Sequence, residues 1–389
     1  MQDPVTKAPL LAVSGKPATI KIIDVLTGEH VARFTGHGKQ VNDLTVSPLS
    51  SSILASASGD QTVRIWTLDP KYRKQPCMLM CAGEGHKQGL LTLAFHQKGS
   101  YLLTGGIDNA VCLWSIPSLP NEQTGTDKPT MLHFPHFRTA AIHQNFVDCV
   151  AFHHDLVISK CARENKIVIW RIEGFDSRRD PPTLPPTNDE DSCGTRSAWG
   201  GKYQRLTQLD VSDSTAFYIR FSLFSFPGER PVLAIGNERS KVFFWDLKSL
   251  EEWIRPDPAT MSANEQAAQA TGRGSRGGAR RKARGRARMM PQFRDASVAS
   301  DGSSAKTDVM TANSMGFGAV DAGNRWYLSK KFQMEDPFKV LDPHRTHTVQ
   351  KVFFACRQVA WSVGGEWMVV VGDQGMLGVF HRDRPKAAM

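Results

Sequence analysis

The 389-residue sequence predicts an all-β protein built as a β-propeller, and three observations carry the prediction. A unit of three short runs of β-branched and aromatic residues recurs along the chain. Gly, Asp, Asn or Pro bounds each run, and a tryptophan closes the third run of four units. Short runs between turn residues are strand grammar. A unit that repeats at this length is one supersecondary element, which buries its faces only by stacking on its neighbours.

The units follow in order. A partial one opens the chain as PLLAVSGK, ATIKIIDV and EHVARFTGHG. The clearest copy covers residues 36–68, as GHGKQVNDLTVSP, SILASASGD and QTVRIWTL; the next, at 85–116, runs GHKQGLLTLAFHQ, YLLTGGID and NAVCLWSI. A third, at 143–172, reads HQNFVDCVAFHH, DLVISKCAREN and KIVIWRI. A fourth starts at 217 as FYIRFSLF, PVLAIGNERS and KVFFWDL, without a leading His. The fifth complete unit, ACRQVAWSV, EWMVVVGDQ and GMLGVFHRD, has Phe380 in place of the tryptophan. About six blades are therefore detectable. A propeller closes on itself to remove sheet edges, and the opening unit lacks its first strand, so the expectation is a ring whose first blade is missing.

Polar residues recur at fixed places in these units. In the clear copies a Gly-His precedes the first strand and an Asp follows the second. Buried indole and backbone groups need partners, and a His–Ser/Thr–Asp–Trp hydrogen-bond network of the WD-repeat type supplies them. The expected members are His37, Ser58, Asp60 and Trp66, then His86, Asp108 and Trp114, with Trp170 and Trp245 in later units. These histidines are read as structural, not as catalytic or metal-binding groups.

Two polar, proline-containing loops interrupt the repeat at 117–130 and 175–199. Residues 256–312 are rich in Ala, Gly, Ser, Arg and Met and hold too few large apolar residues for a core, so they read as a disordered insertion. The expected division is propeller blades over 1–255, the basic insertion over 256–312, and a final blade over 313–389. The net charge of +10 belongs to this insertion. Arg273, Arg276, Arg280, Arg281, Lys282, Arg284, Arg286 and Arg288 stand together without an acid, and the rest of the chain has 40 basic against 38 acidic residues. An Arg-Gly tract suits nucleic-acid phosphates or nuclear import. It has no GK[ST] and follows no strand entering a helix, so it is not a phosphate-binding loop.

Other classes are argued against by what the chain carries. Seven cysteines stand without disulfide-framework or zinc-ligand spacing, and buried thiols in a reducing compartment are expected. No apolar stretch approaches roughly 18 residues, and no signal peptide precedes the repeats, so a soluble intracellular protein without a membrane partner is expected. No nucleophile–base pair, carboxylate pair or metal-ligand spacing stands out. The expectation is a binding protein with no enzyme activity, no cofactor and no metal.

One segment is more distinctive than a WD dipeptide. His143–Trp170, HQNFVDCVAFHHDLVISKCARENKIVIW, closely resembles the middle of the EED/Esc family, the propeller subunit of Polycomb repressive complex 2. HFPHFRTAAIH before it, PLLAVSG at 9–15, GHGKQVNDL at 36–44, FYIRFS at 217–222 and VFFWDL at 242–247 resemble the family in the family's order. The chain looks like a shortened, fungal-type member with a basic insert, in a family whose propeller has seven blades. The resemblance implies a nuclear, gene-silencing protein that reads trimethylated lysine 27 on the histone H3 tail. Its partners would be a SET-domain histone methyltransferase subunit and a Suz12-type subunit.

A quaternary ammonium has no N–H to donate and is held by aromatic faces, at roughly 0.5–2 kcal/mol for a good face. The cage positions that the resemblance implies are Phe34, Phe217 and Tyr218, where the family usually has Tyr for Phe34 and Trp for Phe217. The plainer reading is that all three pack in blade cores. As adjacent strand residues, Phe217 and Tyr218 would point to opposite faces. The alternative to a chromatin reader is a generic WD scaffold in a nuclear RNA-associated assembly.

Overall fold

Six β-sheets follow one another along the chain in the computed structural model, which describes residues 1–183, 185–186, 194–251, 336–349 and 353–382. Blade one is Leu10–Val13, Ile20–Asp24 and His30–Phe34. Blade two opens with Val41–Val46 and continues through Ile53–Ser58, Val63–Thr67 and Cys77–Cys81. Blade three is Leu90–Phe95, Tyr101–Gly106, Val111–Ser115 and Phe137–Thr139. Blade four is Val147–His153, Leu156–Cys161, Lys166–Ile172 and Tyr203–Asp210. Blade five is Phe221–Phe224, Val232–Gly236, Lys241–Asp246 and Arg345–Thr348. Blade six is Cys356–Trp361, Trp367–Gly372 and Leu377–His381. This is the all-β WD propeller the repeats predict, with six blades among the described residues.

Five apolar clusters glue the blades in sequence. Ile22, Phe34 and Trp66 join blades one and two; Leu79, Leu93 and Trp114 join two and three. Phe137, Val157 and Trp170 join three and four, Ile167, Leu233 and Trp245 join four and five, and Phe244, Cys356 and Met368 join five and six. The sheets of blades two to five are thus covered on both faces. That is why Ile167, Val168, Ile169 and Trp170 are all buried and the strand reads as a continuous apolar run instead of alternating. Each such side chain contributes about 1.5–3 kcal/mol relative to exposure.

The opening strands of successive blades pack on one another, two against three and three against four, and five against six. A β-bulge interrupts that strand in four blades, at Asn42, Leu91, Asp148 and Arg357. Bulges re-aim side chains, and Arg220, just before the opening strand of blade five, occupies the equivalent place.

The interrupting loops return as strands. Thr130–Leu132 adds in parallel to Cys77–Cys81, and Arg196–Ser197 adds antiparallel to Phe137–Thr139. Val340–Leu341 adds in parallel to Tyr203–Asp210. Each covers a sheet edge that would otherwise present unpaired backbone groups. The stretch 313–389, expected as one final blade, is divided: Arg345–Thr348 pairs with Lys241–Asp246 and completes blade five, and blade six starts only at Cys356. This edge strand was invisible in the sequence because RTHT has no apolar alternation.

The insertion at 256–312 and its basic cluster, Arg273 to Arg288, lie outside the described residues. The described cysteines, Cys77, Cys81, Cys112, Cys149, Cys161 and Cys356, are free thiols. Among the described residues no helix is long and apolar enough to cross a membrane.

Candidate functional site

Three blades share one polar network. His37 Nδ1 lies 2.9 Å from Asp60 Oδ2 and its Nε2 2.7 Å from Ser56 Oγ, while Trp66 Nε1 donates to the same hydroxyl at 2.8 Å. With the His37 proton on Nδ1, indole, hydroxyl, imidazole and carboxylate form an unbroken donor–acceptor chain. His86, Thr104, Asp108 and Trp114 repeat it at 2.8–3.0 Å. His143, Ser159 and Trp170 repeat it again, with Glu164 in place of the Asp, 3.3 Å from His143 Nδ1. Burial would raise the Asp60 carboxyl, but hydrogen bonds from His37, Thr62 and the Gly38 N–H outweigh it and hold it below its ordinary value. Asp108 and Glu164 are held at about 2 against the same opposing effect of burial.

Two expected members fall out. Ser58 is not the middle member; its hydroxyl donates to the carbonyls of Lys39 and Gln40. Trp66 pairs across the strands with Leu54, so the hydroxyl on its own face is two residues on, at Ser56. Trp245 has no network either, and its Nε1 is buried without a hydrogen-bond partner. It pairs with Leu233, which puts Ile235 where Ser56, Thr104 and Ser159 stand in the other blades. An isoleucine has nothing to offer an N–H.

The other cluster gathers where the opening strands converge. Tyr218 has φ +60° and lies before Phe221–Phe224 begins, so strand alternation does not apply to it. Its backbone N–H donates to Asp148 Oδ2 at 2.9 Å, and Arg357 Nη1 donates to the Phe217 carbonyl at 2.7 Å. This left-handed turn sets the Phe217 and Tyr218 rings 4.1 Å apart at 60°. Phe146, which sequence reasoning missed, meets Phe217 edge-on at 6.3 Å and 84°. Phe217 and Phe146 are 40% and 38% exposed. An aromatic one residue before a blade's opening strand was the available signal for Phe146.

Phe34 is placed differently. It is 4% exposed and stacks on Trp66 at 5.3 Å with the rings 3° from parallel. The structure therefore brings Phe217 and Tyr218 together and puts Phe34 in the core between blades one and two.

Charged groups support the cluster. Arg220 covers one face of Tyr218, with the guanidinium carbon 4.9 Å from the ring centre. It also donates from Nη1 to Asp43 Oδ1 at 2.8 Å and from Nη2 to the Leu91 carbonyl at 2.6 Å. Asp148 and Lys160 are fully buried, 3.8 Å apart. Burial pushes the Asp148 carboxyl up, against the pull of Lys160, and pushes the Tyr218 hydroxyl to about 12 despite the nearby Arg220. Tyr218 is thus a neutral ring at any ordinary pH, and its remaining face and that of Phe217 are suited to a cation.

The family model for the WD domain, G-beta repeat, matches residues 28–67 and 78–115. The chain is 41% identical to Polycomb protein EED of Chaetomium thermophilum over 267 residues, which is 65% of this chain and 47% of that protein. It is 29% identical to Polycomb protein esc of Drosophila melanogaster, over 62% of this chain and 55% of that one. The chain thus spans about half the length of these relatives. Its fold matches a chain of Chaetomium thermophilum Polycomb Repressive Complex 2 bound to GSK126 with TM-score 0.76 and 32% identity, covering 98% of this chain and 81% of that one. A chain of that organism's complex with H3K27me3 and H3K27M matches with TM-score 0.74 and 30% identity, covering 98% and 80%. With the propeller, the repeated network and this identity along nearly all of the chain, the protein belongs to the EED/Esc family of Polycomb WD-repeat propellers.

Proposed function

We propose that this chain is a non-catalytic chromatin scaffold that binds the trimethylated lysine 27 region of the histone H3 tail. It would do so within a nuclear Polycomb complex that contains a SET-domain methyltransferase subunit and a Suz12-type subunit. The observation that carries the reading is the pairing of Phe217 and Tyr218 at 4.1 Å, both held by backbone hydrogen bonds to the opening strands of other blades. The solved complex of a related chain with H3K27me3 supports the same reading. Phe217 supplies an open face, Phe146 an edge-on wall, and Tyr218 the face that Arg220 does not cover. Phe34 would have to give up its stack on Trp66 to face a ligand.

Calorimetric titration of the protein with H3 tail peptides tests this. The peptide trimethylated at lysine 27 should bind more tightly than the unmethylated one. Phe217→Ala should weaken the trimethylated peptide by about 2- to 30-fold, which is the loss of one cation–π face, and leave the unmethylated one unchanged. Equal affinities for the two peptides, unaltered by Phe217→Ala, would remove the reader role.

A further inference from the structure

On blade four, away from the aromatic cluster, the hairpin joining Val147–His153 to Leu156–Cys161 carries adjacent histidines, His153 and His154. The short helix Leu247–Glu251, which follows the third strand of blade five, brings Glu251 against them. One ligand atom from each of His153, His154 and Glu251 lies within 4.8 Å of the others. His153 is 4% exposed, whereas His154 and Glu251 are open to solvent. The two residues of the closest pair, His153 and Glu251, stand 98 apart in sequence, so no motif spacing betrays the group.

We propose that His153, His154 and Glu251 bind a divalent transition ion of the zinc class, clamping the helix to blade four. The donor set is two imidazoles and a carboxylate, the hard–borderline mixture zinc takes, with the fourth position open to water. His153 Nε2 and Glu251 Oε1 are 2.7 Å apart, a hydrogen bond in which the imidazole N–H donates to the carboxylate, and a metal would replace that proton as the two atoms part to ligand spacing. His153 Nδ1 is buried without a hydrogen-bond partner. The adjoining His154 imidazole has its centre 4.6 Å from that of His153, so both rings reach the same place beside Glu251. His154 adopts φ +51°, a left-handed conformation uncommon for non-glycine residues, in which its ring sits beside that of His153.

The test is titration of the tag-free, chelator-stripped full chain with Zn(II), and with Co(II) as a spectroscopic probe of coordination. One equivalent should bind, raising the melting temperature, and His154→Ala and Glu251→Gln should each weaken binding by about tenfold or more. Both residues are exposed, so the folded state should survive either change. Binding that neither variant alters would place the ion elsewhere, for example at the buried group His143, Cys161 and Glu164, and would overturn the proposal. So would a melting temperature that Glu251→Gln lowers equally with and without metal, since a simple hydrogen bond predicts that result.

Discussion

Arg220, at the entry to blade five, forms an ion pair with Asp43 on the opening strand of blade two, Nη1 to Oδ1 at 2.8 Å. The same guanidinium reaches the Leu91 carbonyl on blade three, and the Arg220 backbone N–H donates to the Arg357 carbonyl on blade six. One residue therefore ties four blades together where their opening strands meet.

Arg220→Met should lower unfolding free energy by on the order of 2–3 kcal/mol in urea titration. That is less than the 3–5 typical of a broken, fully buried pair, because Asp43 keeps the Leu44 and Leu93 N–H groups as donors. Replacing Asp43 as well, as Arg220→Met with Asp43→Leu, should restore part of the loss. A single-variant change under about 0.5 kcal/mol would show that the pair contributes nothing to stability.

Ser56→Ala and Ser58→Ala separate the observed network from the expected one. The first strands both the Trp66 indole and a His37 nitrogen in the interior and should cost about 2–5 kcal/mol; the second should cost about 1 kcal/mol. Equal losses would mean that Ser56 is not the centre of the chain.

Blade five offers the converse. Trp245 Nε1 is buried and unpaired beside Ile235. At an ordinary core site threonine is worse than valine, because its hydroxyl is buried. Here Ile235→Thr should be at least as stable as Ile235→Val by thermal unfolding, since the hydroxyl gives the indole an acceptor. A threonine variant clearly below the valine variant would refute this account of blade five.

Acid should unfold the protein through the network carboxylates. Burial opposes ionisation of Asp60, Asp108 and Glu164, but their hydrogen bonds win and hold each below its unfolded-state value. A carboxyl lowered in the native state contributes stability that is complete above its unfolded pKa and is lost as pH falls through the native one. The melting temperature should therefore stay level on this account above about pH 5 and fall toward pH 2. Glu164→Gln should flatten that acid limb, and an unchanged limb would exclude Glu164 as a contributor.

The repeat, its strand runs and the Gly-His and Asp fixtures were legible because a blade is local: three strands joined by short turns, written out in order. The same locality exposed the segment at His143–Trp170. The middle of the network was not legible at Ser58, because Ser56 and Ser58 share a strand face and only the pairing of Trp66 with Leu54 chooses between them. Trp245 looked like its counterparts for the same reason, since its missing partner sits on the neighbouring strand.

What the sequence determined by itself is the blade: the strand period, the closing aromatic, and the need of each unit for neighbours. The tertiary structure alone decided what meets between blades. A left-handed turn at Tyr218 places two adjacent rings on one side, where strand alternation would have opposed them. Phe34 is drawn into a stack with Trp66 because blade two packs over it. Arg220 meets Asp43, and the Tyr218 N–H meets Asp148, only because the start of blade five converges with the opening strands of blades two and four. Such contacts join residues far apart in the chain, and no local pattern of polarity encodes the register at which distant strands converge.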